Sequence, residues 1–342
     1  MSDFLIRKTE IQDLDKIAAI INHIFEISIS INYLNWILSD PDQPEKLNSI
    51  VVLNKKTIVG HVGYIKCKYY TLSKEIIGTH AILLCIMPKY RGKVGKRIFK
   101  EVSSIYDISI IYEGTKEAIR IYPQVGFKQI GHVSLYHTSF TVPKPIALLY
   151  GKNLHSYIKE FSISIIDIIK KYTQYKIETV HSNSLINLKK YENHISYENI
   201  KKCATLSNYP DSKKIEWFIK VPFLDSHIYT IYKNDICLGI LYLYIRKYKG
   251  YCIGRVNHLP NLGENINEWL EILIKIEAIF RKLNCISYSI YATHPKLIKA
   301  LDILCYRNTR NRAIWLLDEK GYMKNKSFHL TYIEGDHGFR NI

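Results

Sequence analysis

The chain has 342 residues, is 47% hydrophobic and carries a formal net charge of +17. That length exceeds one ordinary domain and that apolar content fills packed cores, so a disordered chain is excluded and two domains are expected. The basic excess suits polyanionic partners such as coenzyme A, nucleotide-sugars, nucleic acid or acidic membrane, although the abundance of Lys, Ile, Asn and Tyr is also what an AT-rich genome encodes.

Seven cysteines, at 67, 85, 203, 237, 252, 285 and 305, form no C-x-x-C pair and no Cys/His set with zinc spacing, so no metal is expected. Their odd, scattered count reads as reduced thiols in a cytoplasmic chain. The start, Met1 to Lys8, lacks an apolar leader, and no run approaches the ~20 apolar residues of a membrane helix. No membrane partner is expected.

In chain order, Phe4 to Arg7 reads as a first strand. Thr9-Glu-Ile-Gln12 reads as a capping box with Thr9 as N-cap, and Ile11, Leu14, Ile17, Ile21 and Ile24 then recur at helical spacing. Ser49 to Leu53 and Thr57 to Tyr64 read as strands joined by a turn at Asn54-Lys-Lys. An apolar strand, Ala81 to Met87, runs into Pro88-Lys-Tyr-Arg-Gly-Lys-Val-Gly-Lys-Arg-Ile-Phe99, where a basic Gly loop opens an amphipathic helix. Such a turn suits a pyrophosphate: loop amides and the helix N-terminus face the anion, and Arg91, Lys93 and Lys96 add full charges. Neither a Walker loop nor G-x-G-x-x-G is present.

Val142-Pro-Lys-Pro145 disfavours helix and sheet interior alike, which places a boundary there and divides the chain into 1–142 and 143–342. Leu154 to Tyr172 reads as a bridging helix, and Ser182 to Tyr209 as helix or loop without chemical signal. The second half then repeats the first faintly. Trp36 to Pro41 is echoed by Trp217 to Pro222, Val51 to Gly60 by Ile231 to Gly239, and Ile108 to Phe127 by Ile286 to Tyr306. The copy is degenerate where chemistry belongs: His258 to Asn265 replaces the basic loop and brings Glu264, Leu301 replaces Tyr122, and Cys305 replaces Gly126. One donor site, in the first half, is expected. Ser327 to His337 reads as a last strand and an acidic turn in which Asp336 faces a ligand or simply caps the turn.

Pro-x-Tyr-Arg-Gly-Lys before a helix, followed by Ala118-Ile-Arg-Ile-Tyr122-Pro-Gln-Val-Gly126-Phe127, resembles the two signatures of the GNAT acyltransferases. The loop departs from the usual Arg-Gly-Lys-Gly-Ile-Gly by one residue and one Gly. The resemblance implies an α/β (α+β) fold of tandem GNAT domains, each with a mixed, mostly antiparallel sheet flanked by helices. It implies acyl-CoA as co-substrate, held by Arg91, Gly92, Lys93, Val94, Gly95 and Lys96 and by strand amides at Leu84, Cys85 and Ile86 that also stabilise the oxyanion. Tyr122 matches the family's acid. His80 aligns with the base position, where it is either the base or a polar residue at a strand start. Glu113 is a second base candidate or a solvated loop carboxylate. Over the whole length the chain is similar to tandem-GNAT sugar N-acyltransferases of bacterial surface-polysaccharide pathways. That resemblance implies acylation of a nucleotide-linked, commonly dTDP, deoxy-amino sugar by a monomer or homodimer without nucleic acid. The rival readings are a peptidyltransferase using aminoacyl-tRNA, which the worn loop of that group disfavours, and a non-catalytic binding scaffold.

Overall fold

The computed structural model describes residues 4–70, 75–140, 186–191, 210–222, 224–248, 250–322 and 328–330, with 206–208 and the single positions 162, 165 and 169. The proline-rich boundary, nearly all of the bridging helix and the acidic turn lie outside the described residues.

Apolar alternation and two-residue turns build the first half. Strands β1 (Phe4–Lys8), β4 (Ser49–Asn54), β5 (Thr57–Tyr70) and β6 (Glu75–Ile86) form an antiparallel run, with the turn at Lys55–Lys56 as expected. Short β2 (Ser39–Asp40) and β3 (Gln43–Leu47) pair beside it. Strand β6 begins six residues before the sequence places it. Strand β7 (Ile108–Tyr112) pairs with β6 in parallel, as a crossover through helix α3 (Arg91–Ser103) requires. Helix α4 (Lys116–Ile121) and strand β8 (Lys128–Ser139) complete the half.

Helix α1 (Leu14–Phe25) buries Leu14, Ile17, Ala18 and Ile21, a single stripe at helical spacing. Its approach corrects the capping expectation. A 3₁₀ turn over Ile11–Asp13 precedes it, the reciprocal box is Glu10 with Asp13, and the Thr9 hydroxyl bonds Ser49 instead. Helix α2 (Ile31–Leu38) starts at Ser30, whose Oγ accepts the Tyr33 amide at 3.2 Å.

The second half repeats this order. Strands β11 (Asp225–Lys233), β12 (Ile236–Tyr248) and β13 (Tyr251–His258) are antiparallel, and β14 (Cys285–Ala292) joins β13 in parallel after helix α6 (Ile266–Lys282). Helix α7 (Pro295–Ile303) and strand β15 (Arg307–Leu317) follow. The degenerate positions coincide with their proposed counterparts. The Phe127 amide donates to the Tyr122 carbonyl at 3.0 Å, and the Tyr306 amide to the Leu301 carbonyl at 2.9 Å. Gly126 and Cys305 both take positive φ, 98° and 56°. The segment expected as helix or loop holds strands β9 (Ile186–Lys190) and β10 (Leu206–Asn208), which pair with β11 and β5. Helix α5 (Ser212–Ile219) is the counterpart of α2. Of the expected last strand, the described part is β16 (Phe328–His329), parallel to β10.

Fourteen strands share one sheet, whose path runs β1-β4-β5-β6-β7-β15-β8-β14-β13-β12-β11-β9. The last strands of the two halves are exchanged. β15 lies between β7 and β8, and β8 lies between β15 and β14. Helices α1, α2 and α5 pack on one face, burying Ile82, Ile110, Tyr242 and Tyr291. On the other face α3 and α4 cover the first half, and α6 and α7 cover the second. The echoed tryptophans meet. Trp36 and Trp217 stack at 4.5 Å and 13°, and each indole N–H donates to the other's carbonyl at 2.9 Å.

No helix among the described residues is long and apolar enough to cross a membrane. Among the described residues, Cys67, Cys85, Cys237, Cys252, Cys285 and Cys305 form no disulfide.

Candidate active site

The parallel ladder between β6 and β7 ends at the pair His80↔Ile110. Beyond it the two strands separate, and Ala81 to Ile86 keep only β5 as a partner. A cavity of about 290 Å³ fills the opening. Its lining comes from both faces of the sheet: Phe99, Ala118 and Tyr122 from the α3/α4 side, and Phe25 and Leu83 from the α1 side. A gap that crosses a sheet gives two reactants access to one point from opposite directions.

Along its β6 wall the strand bulges. Leu83 and Leu84 together oppose Val62, between the pairs Gly63↔Ile82 and His61↔Cys85. The Met87 amide donates to Val59 on β5 at 2.9 Å. Strand alternation sends the Cys85 amide the same way and those of Leu84 and Ile86 toward the opening. Of the three expected amides, Cys85 is therefore turned away, and its thiol is buried, with a pKa pushed up to about 12 by desolvation.

His80 is not at a strand start. It lies mid-strand, 2% exposed, in the cavity wall, with its ring 4.6 Å from that of Tyr112. Tyr122 is buried against Phe99, Phe127 and Trp315, and its hydroxyl donates to the Glu113 carbonyl at 3.0 Å. A Cβ at Gly114 would collide with that hydroxyl, so this approach requires glycine. His80, Glu113, Tyr122 and Leu84 thus share one cavity.

Glu113 is not a solvated loop carboxylate. Its Oε1 accepts from Arg310 at 2.7 Å and its Oε2 lies 3.3 Å from Arg312. Both arginines belong to β15, so the second half contributes directly to the first half's cavity. Each of the two carboxylate oxygens thus faces one guanidinium. The arginines carried no local signal: they stand on a strand nearly two hundred residues away.

The basic segment differs from the loop expected. A 3₁₀ turn spans Pro88–Tyr90 and α3 begins at Arg91, so Gly92 to Lys96 are the helix's first turns. The segment therefore offers the N-terminal amides of a 13-residue helix rather than those of a loop. Arg91 and Lys96 are exposed, and Gly92 has open space around it. Val94 is buried in the core, and a Cβ at Gly95 would press on Ile121, so both positions seat the helix. The Arg91 Nε donates to the Ile86 carbonyl at 3.3 Å, tying the helix start to the strand that carries the bulge.

The matching opening in the second half is filled. The Leu330 amide donates to Thr293 Oγ1 at 2.9 Å, beyond the end of β14. His329 Nε2 donates to the Leu259 carbonyl at 2.8 Å, beyond the end of β13. The segment 328–330 thus bridges the two strands at the place that matches the β6–β7 opening. Among the described residues no group of three or more His, Cys, Asp or Glu is placed to hold a metal.

No protein-family model and no curated protein matches this chain. Solved structures do. A GCN5-related N-acetyltransferase from Anabaena variabilis matches with a TM-score of 0.59 at 14% identity, covering 92% of this chain and 72% of that one. Saccharomyces cerevisiae N-myristoyltransferase with bound myristoyl-CoA matches with a TM-score of 0.56 at 13% identity, covering 93% and 83%. A putative acetyltransferase from Pyrococcus horikoshii matches with a TM-score of 0.54 at 12% identity, covering 98% and 97%. At such identities the likeness concerns the fold, which is that of the GCN5-related N-acetyltransferases.

Proposed function

We propose that the first half binds acyl-CoA and transfers its acyl group to the amine of a nucleotide-linked deoxy-amino sugar, with dTDP as the expected nucleotide. The observation that carries this reading is the cavity crossing the sheet between β6 and β7, with a bulged strand on one wall and the N-terminus of α3 beside it. The thioester enters from the α3/α4 side and the amine from the α1 side. His80 takes a proton from the ammonium, whose neutral form alone is nucleophilic. The amine nitrogen bonds to the thioester carbon, and the Leu84 amide stabilises the oxyanion that forms. Collapse breaks the carbon–sulfur bond, Tyr122 gives its proton to the leaving thiolate, and the second proton that the nitrogen sheds as the amide forms restores the tyrosine. Arg310, half-exposed and facing the amine side beside Glu113, suits an anionic acceptor such as a nucleotide diphosphate. A volume of about 290 Å³ is at the low end for ligand pockets and favours a short acyl group.

We assign residues 143–342 to a second, non-donor domain that walls in the acceptor. The filled opening at Thr293 and Leu259 supports it.

Calorimetry with coenzyme A and thiol-release turnover with acetyl-CoA and a panel of dTDP-amino sugars test the reading. Binding should weaken at least tenfold when Arg91→Ala and Lys93→Ala are combined. An unchanged affinity would refute the assignment of the α3 N-terminus. Binding without turnover on any amine would leave a scaffold, and turnover with aminoacyl-tRNA alone would leave a peptidyltransferase.

A further inference from the structure

Behind the bulge stands a buried polar chain that no sequence motif announces. Leu83 holds a left-handed backbone, φ 49°, which is uncommon for a leucine and needs local support. His61, on β5, has no exposed surface, and its Nδ1 lies 3.2 Å from the Leu83 carbonyl. Its Nε2 lies 2.6 Å from Ser49 Oγ, which lies 2.7 Å from Thr9 Oγ1. Ser49 is fully buried and Thr9 nearly so.

The proton positions follow from the partners. A carbonyl oxygen only accepts, so Nδ1 carries the hydrogen. Burial lowers the pKa of this ring to about 4, so at neutral pH it holds one proton and Nε2 is an acceptor. Ser49 must then donate to Nε2, and Thr9 to Ser49. Every bond in the chain has one direction, and it ends on the carbonyl of the bulge.

A trans peptide sets the C=O and the following N–H on opposite sides. Drawing the Leu83 carbonyl toward β5 therefore turns the Leu84 N–H away from β5. On that side the β6–β7 ladder has ended and the cavity opens. We propose that His61 is a positioning residue whose Nδ1–H, held in that tautomer by Ser49 and Thr9, fixes the bulge so that the Leu84 amide points at the reacting carbonyl oxygen. The inference rests on the acyl-transfer reading of the same cavity.

The test compares His61→Leu, which keeps an apolar side chain and removes both nitrogens, with His61→Asn, whose side-chain amide can supply a donor near the position of Nδ1. Thiol release from acetyl-CoA with a dTDP-amino sugar gives kcat and KM, and calorimetry gives coenzyme A affinity. His61→Leu should lose about 10²-fold in kcat, the scale of one oxyanion donor, with coenzyme A affinity within threefold of the parent. His61→Asn should recover at least tenfold of that loss. A His61→Leu enzyme with parental kcat, or equal losses in both variants accompanied by weakened coenzyme A binding, overturns the proposal. If His61→Leu does not fold, ¹⁵N NMR of the wild-type imidazole decides: a neutral Nδ1–H ring supports the proposal, and a neutral Nε2–H ring overturns it. A wild-type protein that releases no thiol refutes the acyl-transfer reading itself, and that result is seen before any variant is made.

Discussion

Replacing Trp36 by Phe tests the seam that joins the two halves on the face covered by α1, α2 and α5. The substitution removes the indole N–H and leaves the buried Trp217 carbonyl without this donor, at a cost of about 1–3 kcal/mol. It also weakens a stack at 4.5 Å and 13°, worth about 0.5–1.5 kcal/mol. The expected loss is about 2–4 kcal/mol. Because the hydrogen bonds are reciprocal and both 2.9 Å long, Trp217→Phe should cost a similar amount. The ring–ring contribution can be lost only once, so the double variant should be less destabilised than the sum, by about 0.5–1.5 kcal/mol. Urea unfolding of the parent, both single variants and the double variant measures each leg. Single losses below 0.5 kcal/mol, or costs that add within 0.3 kcal/mol, would refute the view that this pair couples the halves.

Three further outcomes are expected. Tyr122→Phe should lower kcat by about 10²-fold with little change in the KM for acyl-CoA; unchanged turnover in a thiol-release assay would mean that the thiolate takes its proton elsewhere. Acid should destabilise the fold before carboxylates titrate. Burial holds the pKa of His61 near 4, of His258 near 3 and of His329 near 4, so the unfolded chain binds more protons below pH 6.5 and stability falls as pH drops from 6.5 toward 4. The slope approaches ~1.4 kcal/mol per pH unit for each histidine, and a melting temperature that stays flat from pH 7 to 5 would contradict it. Calorimetry should give one coenzyme A per chain, since segment 328–330 fills the second opening; two per chain would refute the assignment of a single donor site.

What the sequence determined was local. Periodicity located α1, the turn at Asn54-Lys-Lys located the β4–β5 hairpin, and the glycine, proline and tyrosine spacing located the strand-to-helix junction before α3 and the Tyr122 turn, although α3 starts at Arg91 rather than after the glycines. These signals are legible because each depends on neighbours within a few residues. The repeated element order was also legible, since the echoed segments run in the same order although Cys305 stands where Gly126 stands. The N-cap at Thr9 was misread because its hydroxyl is taken by Ser49, forty residues on.

The site itself was decided by tertiary structure. Nothing near Arg310 or Arg312 says that β15 will leave its own half and lie against β7, because a strand's neighbours are chosen by distant segments and not by its own residues. Only the exchanged sheet sets both guanidiniums on Glu113. The bulge at Leu83 is likewise invisible in an unbroken apolar run. There the Leu83 carbonyl meets a buried imidazole of β5, and strand register is fixed by pairing between distant segments rather than by the residues of either strand alone.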